Sequence, residues 1–166
     1  MLCMMLAMLF TPAVTIALIS VCAFIHYEML QLCNAALPRM RHHNNRAKVL
    51  TAVGAALVSH ILQIGLFAAA FYFLQDNAEL GRIGGNFKNV ASSFLYFSTE
   101  TYTSLGFGDV FPLGQIRLVA GMEALTGLVM ISWTASFTYL EMSRYWRPDS
   151  RKTARSLLIR KKVMTL

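Results

Sequence analysis

Two stretches of this chain, Leu2–Ile25 and Val49–Leu74, contain no Asp, Glu, Lys or Arg, and a third, Leu118–Leu140, contains only Glu123. A helix needs about 20 apolar residues to cross a hydrocarbon core, so each stretch is long enough to do so. Within lipid, every backbone amide must be satisfied by the chain itself. These three runs therefore predict helices, and the chain reads as an all-α integral membrane protein. Composition agrees, at 56% hydrophobic and 14% charged residues, well below the charged share of a soluble domain. At 166 residues there is room for one domain and no large soluble module beside it. No basic residue precedes the first apolar run, whereas a cleaved signal peptide opens with a positive segment. The run is expected to be a retained helix, kinked near Pro12.

Charge placement orients the spans. Of fifteen Lys and Arg, four lie in the 39–48 loop (Arg39, Arg41, Arg46, Lys48) and eight follow the third span (Arg144, Arg147, Arg151, Lys152, Arg155, Arg160, Lys161, Lys162). Only Arg82, Lys88 and Arg117 fall between the second and third spans. Cytoplasmic loops carry the basic excess, which places the 39–48 loop and the tail inside and the amino terminus outside. The net charge of +7 is then explained by anionic lipid of the inner leaflet rather than by nucleic acid.

Between the spans, the chain divides by composition. Residues 1–37 form the first helix, ending in an amphipathic stretch from His26 to Leu37 that Pro38 stops. Residues 38–48 form a basic loop. A second helix covers 49–74, and its Ala and Gly content lets helices approach closely in lipid. An outer loop with turn-forming Asn and Gly follows. Val90–Thr103 has helical character but is too short to span, so it is a candidate to enter and leave on one side. The third span is expected over 116–141 and a basic tail over 142–166.

"TYTSLGFGDVFP", Thr101–Pro112, stands between the short helix and the third span. Irregular backbone at membrane depth is tolerated only inside protein or against water. Gly106 and Gly108 open backbone angles closed to other residues, so successive carbonyls could be turned one way. Rings of such carbonyls replace the hydration shell of a potassium ion.

"TSLGFGD", Thr103–Asp109, resembles the selectivity filter of potassium channels, whose common form is TVGYG. "YFSTET" before it is similar to the end of that family's pore helix, Pro112 stands where its outer loop often has proline, and the third span resembles its inner helix. The likeness covers Ser92–Glu141, with Val49–Leu74 as outer helix. Small bacterial two-helix members of the family are the nearest in form, and Leu2–Ile25 is extra to their unit. The resemblance implies a homotetramer enclosing one pore, with potassium held by carbonyls of Thr103, Ser104, Leu105, Gly106 and Phe107 below Gly108. The Ser104 hydroxyl would stand at the inner mouth. Here serine replaces the usual threonine, leucine the usual valine or isoleucine, and phenylalanine the usual tyrosine. A poorly selective cation channel of the same fold therefore stays open as an alternative, as does a non-conducting membrane scaffold.

Several polar residues require placement. By the resemblance, Glu100 sits behind the filter and shares a proton or water with Asp109. Glu123 is costly in a bilayer centre, at roughly 2.5–3.5 kcal/mol, and is expected to pair with Arg117 or a hydroxyl of the short helix. Gly127 stands where the family often has an inner-helix hinge, with plain helix packing as the other reading. His60 reads as a packing hydrogen bond, and Trp133 and Phe137 as packing residues. Cys3, Cys22 and Cys33 have neither metal nor redox spacing, and His26, His42 and His43 also lack ligand spacing. No cofactor beyond the permeant ion is expected. No nucleophile–base pair is visible, so an enzyme is not expected.

The charge asymmetry predicts three spans in a cell membrane, amino terminus out and carboxyl terminus in. A single-thiol variant at Asn77 should react with an impermeant reagent in intact cells. Reaction only after permeabilisation would reverse the topology.

Overall fold

The computed structural model describes residues 2–40, 45–75 and 80–146, with side chains from residue 10 to residue 145 within those ranges. Helix α1 spans Leu2–Ala36 and continues into a 3-10 turn, Leu37–Arg39. Helices α2, α3 and α4 span Asn45–Gln75, Ala91–Tyr102 and Ile116–Trp146. Three of them are long and apolar enough to cross a membrane, over Phe10–Arg39, Asn45–Gln75 and Ile116–Tyr145. Pro38 sits in the turn that closes α1, where its missing N–H forfeits no helical bond.

Helix α1 packs on α2 and α4, while the short α3 is wedged between α2 and α4. The buried positions of α2 repeat at three- and four-residue steps, Ala52, Ala56, Ser59, Gln63, Phe67, Phe71 and Leu74, which is one face of a helix. Along that face the residues change from small to aromatic. Beside α3, Phe71 meets Phe97 edge-on at 4.9 Å, and Phe94 meets Phe87 likewise at 4.9 Å. Ile116, Val119 and Ala120 of α4 complete this core. Such aromatic edge contacts add about 0.5–1.5 kcal/mol beyond area burial.

The chain is not wholly α. Strands β1 (Gly81–Gly85) and β2 (Val110–Gly114) pair antiparallel with Ile83 opposite Pro112. An irregular outer loop was the expectation for this region. Ile83 is buried, and its N–H donates to Gln75 Oε1 at 3.3 Å, so the ribbon is tied to the end of α2. Gly85 has φ +89, and a Cβ there would lie 2.1 Å from the Asp109 carbonyl oxygen. Only glycine allows that approach.

Helix α4 also runs past residue 141, its expected end. Glu141 pairs with Arg144 at 3.7 Å, Arg144 donates to Asn34 Oδ1, and Asn45 Nδ2 donates to the Tyr145 carbonyl at 2.8 Å. The added turn is thus anchored to α1 and α2. The rest of the expected tail, 147–166, lies outside the described residues, as does Arg41 of the basic loop.

Gly127 lies where α4 crosses the end of α3. A Cβ there would sit 2.0 Å from the Tyr102 carbonyl oxygen, a backbone atom that cannot rotate away. Helix α4 is continuous through this position. Close packing requires a glycine here. Gly127→Ala should lower the unfolding temperature of the purified protein, since overpacking costs about 1–3 kcal/mol. Gly54→Ala, whose Cβ meets nothing within 4 Å, should not. Equal thermal stability of the two variants would remove this role.

Candidate functional site

Helix α3 ends on a cluster of backbone bonds. Thr103 caps it with φ −83 and ψ −5 and donates its N–H to Thr99 O at 3.1 Å. Ser104 N–H donates to Thr101 O at 3.0 Å and Leu105 N–H to Glu100 O at 2.9 Å. Beyond this the backbone changes hand at alternate residues: φ is +56 at Ser104, +55 at Gly106 and +83 at Gly108, and is not positive at Leu105 or Phe107. When left- and right-handed residues alternate, successive peptide planes turn the same way, and neighbouring carbonyls align instead of opposing. The alternation starts at Ser104. Thr103 precedes it as the cap of α3, and its hydroxyl donates to Thr99 O at 2.7 Å.

Two of the three left-handed positions are glycine, for which such angles carry no Cβ penalty. Ser104 is the exception, at a strain of roughly 1–2 kcal/mol. A β-branched residue is still less suited to a positive φ, so serine is a milder occupant there than threonine. Within the single chain, built Cβ atoms on Gly106 and Gly108 meet nothing within 4 Å, so there it is the backbone angle that disfavours other residues at these positions.

Two side chains and one backbone amide hold the run from behind. Phe107 N–H donates to Glu100 Oε1 at 2.5 Å, and Glu100 is buried. A hydrogen bond to a charged group contributes about 1.5–3 kcal/mol net, comparable with the strain at Ser104. Tyr96 donates its hydroxyl to Asp109 Oδ1 at 3.1 Å and stacks on the Phe107 ring at 6.4 Å with 3° between planes. Partial desolvation, then the Asp109 carboxylate that it donates to, push the Tyr96 phenol above its usual value. Asn86 N–H donates to the Asp109 carbonyl at 2.8 Å, which joins the run to β1.

Glu100 accepts from the Phe107 amide and Asp109 from the Tyr96 hydroxyl. Of the two partners expected for Glu123, the structure shows the short-helix hydroxyl: Ser98 Oγ lies 2.5 Å from Glu123 Oε1. Six residues of helix set Arg117 and Glu123 on different faces, and Arg117 is exposed while Glu123 is fully buried. The Ser98 proton serves either Glu123 or the Ile64 carbonyl, at 2.8 Å. His60 sits between Tyr102 and Thr134, 2.9 Å from each. Tyr96 was not singled out from sequence, although its position four residues before Glu100 puts both on one side of α3.

Residues 59–142 match a protein family described as "Ion channel". The chain is 30% identical over 87 residues to the potassium voltage-gated channel protein shk-1 of Caenorhabditis elegans, covering 52% of this chain and 15% of that one. It is 28% identical over 108 residues to the potassium voltage-gated channel protein Shal of Drosophila melanogaster, covering 62% of this chain and 18% of that one. The chain thus spans less than a fifth of the length of either relative. No solved structure matches it.

If Glu100 braces the run, Glu100→Ala should strand the Phe107 amide and alter open probability in unitary recordings, with little loss of assembled protein. Glu100→Gln keeps an acceptor oxygen and should stay nearer wild type. Wild-type kinetics in Glu100→Ala would show that the carboxylate does no bracing.

Proposed function

The chain belongs to the ion channel family, a membrane protein and not an enzyme, and from that premise we propose that it is a potassium-selective pore. Four copies enclose one axis, because one run per chain cannot surround an ion and a closed cyclic assembly can. Helix α2 is then the outer helix, α3 the pore helix, Ser104–Gly108 the filter and α4 the inner helix. The carbonyl end of α3 faces the axis, where its dipole favours a cation.

The alternation of backbone hand at Ser104, Gly106 and Gly108 carries this reading. A dehydrated potassium ion needs several oxygens at once, and an alternating backbone offers consecutive carbonyls to one side. The amides of Ser104, Leu105 and Phe107 are drawn back toward α3, and among the described residues no hydrogen bond is made to the carbonyls of these three. No cofactor is needed beyond the permeant ion. Leu105 and Phe107 are 60% and 66% exposed in the single chain, and neighbouring copies would cover them. Basic residues at the inner ends of the spans would bind anionic lipid.

Purified protein in bilayers under a potassium/sodium gradient should reverse near the potassium potential. Gly106→Ala should abolish selective conduction while tetramers, read by cross-linking, persist. Reversal near zero in wild type would favour the poorly selective pore, and no current at any voltage the scaffold.

A further inference from the structure

Midway through the bundle, five polar side chains from all four helices meet among apolar neighbours. They are His26 of α1, His60 and Gln63 of α2, Tyr102 of α3 and Thr134 of α4. His26, Gln63 and Tyr102 are each at most 1% exposed. Around the group, Tyr102 Oη lies 2.6 Å from Gln63 Oε1, and Gln63 Nε2 lies 3.2 Å from His26 Nδ1. His26 Nε2 lies 3.3 Å from Thr134 Oγ1, which is 2.9 Å from His60 Nε2. His60 Nδ1 closes the circuit on Tyr102 Oη at 2.9 Å.

Donor counting gives this ring a direction. Gln63 Oε1 only accepts, so the Tyr102 hydroxyl proton is committed to it, and the amide Nε2 only donates. His26 Nδ1 must therefore accept, and its proton is on Nε2, donated to Thr134. The single Thr134 proton then goes to His60 Nε2, which leaves His60 protonated on Nδ1 and donating back to Tyr102. Each donor meets one acceptor around the circuit. The assignment requires opposite tautomers, Nε2–H for His26 and Nδ1–H for His60. The partner of one ring nitrogen fixes which nitrogen carries the proton. Ser59 lies beside the ring and takes the second Gln63 amide proton at 3.0 Å.

We propose that this one-way ring positions the filter: through it the first helix, His26 above all, holds Tyr102 and so fixes where the conducting run begins. Tyr102 is the last residue of α3, two positions before Ser104. Its carbonyl lies against Gly127 and its hydroxyl closes the ring, so side chain and backbone are held from opposite sides. His26 and Thr134 act through Tyr102 and are positioning residues. The extra helix thereby becomes part of the permeation unit, a role that rests on the proposed filter and goes beyond it.

Two measurements on the full-length protein test this. The first is 15N solid-state NMR of histidine-labelled protein in bilayers. His60 should show the Nδ1–H tautomer and His26 the Nε2–H tautomer, and Tyr102→Phe should release the His60 tautomer. The second is a double-mutant comparison of Tyr102→Phe and His26→Ala, read in the potassium/sodium permeability ratio and unitary conductance. Each single variant should shift one of these by about threefold or more, and the double variant should add little, as members of one network behave. His26→Gln, which retains a donor and an acceptor, should recover part of the shift.

Tautomers of the other kind in wild type would overturn the ring. Variants that lose only yield or thermal stability, with permeation unchanged, would reduce it to a packing feature and overturn the positioning role. A wild type that passes both ions equally would sink potassium selectivity alone. The ring would then be judged on unitary conductance, where additive or absent effects would refute it.

Discussion

Backbone amides that leave a helix at membrane depth cost several kcal/mol each unless the protein satisfies them. The chain from Thr103 to Asp109 does leave its helix, and the surrounding structure follows from how its amides are answered. Ser104 and Leu105 return their N–H groups to the last turn of α3, Phe107 gives its own to Glu100, and the Asp109 carbonyl is taken by Asn86. Helix α3 must therefore be rigid and close. Its wedging between α2 and α4, the aromatic packing of Phe94 and Phe97, and the missing side chain at Gly127 all serve that.

Magnitudes separate what stabilises the protein from what shapes it. Intramembrane hydrogen bonds between side chains average about 0.6 kcal/mol, because a loosened bundle finds other partners for the same groups. Five such bonds around His26 and Tyr102 are a modest contribution beside the packing of whole helices. Their geometry is more restrictive than their energy, since one reversed donor would break the circuit. The Glu100–Phe107 bond and the strain at Ser104 are similarly matched in size and opposite in sign. The run is held in an unusual conformation by its neighbours rather than by its own preference.

How much was legible in the sequence follows from the range of each determinant. The three spans are a property of local apolar length, so Val49–Leu74 lies wholly within α2. The short helix and the glycines were also legible, because Gly106 and Gly108 announce left-handed backbone. Ser104 does not, since local propensity disfavours a positive φ for serine and only the tertiary setting imposes it. The β1 strand was missed for a related reason: "GRIGG" has poor strand propensity, and its partner lies nearly thirty residues on, from Val110. His60 and Gln63 were visible as polar residues in an apolar span. Their partners at positions 26, 102 and 134 come from three other helices, and nothing local in the sequence joins them. For Glu123, charge alone admits Arg117 as well as a hydroxyl of the short helix, and helical phase decides for Ser98.

On the proposed reading, left-handed backbone at Gly106, rather than the mere absence of a side chain, lets the carbonyls align. Semisynthesis can place D-alanine at position 106, which adds a Cβ but favours positive φ as a mirror-image residue. Reversal potentials with D-alanine at 106 should be potassium-selective and close to those of the glycine protein, with L-alanine non-selective or silent. Equal loss of selectivity with both would contradict it, because the requirement would then be for an empty space and not for a backbone hand.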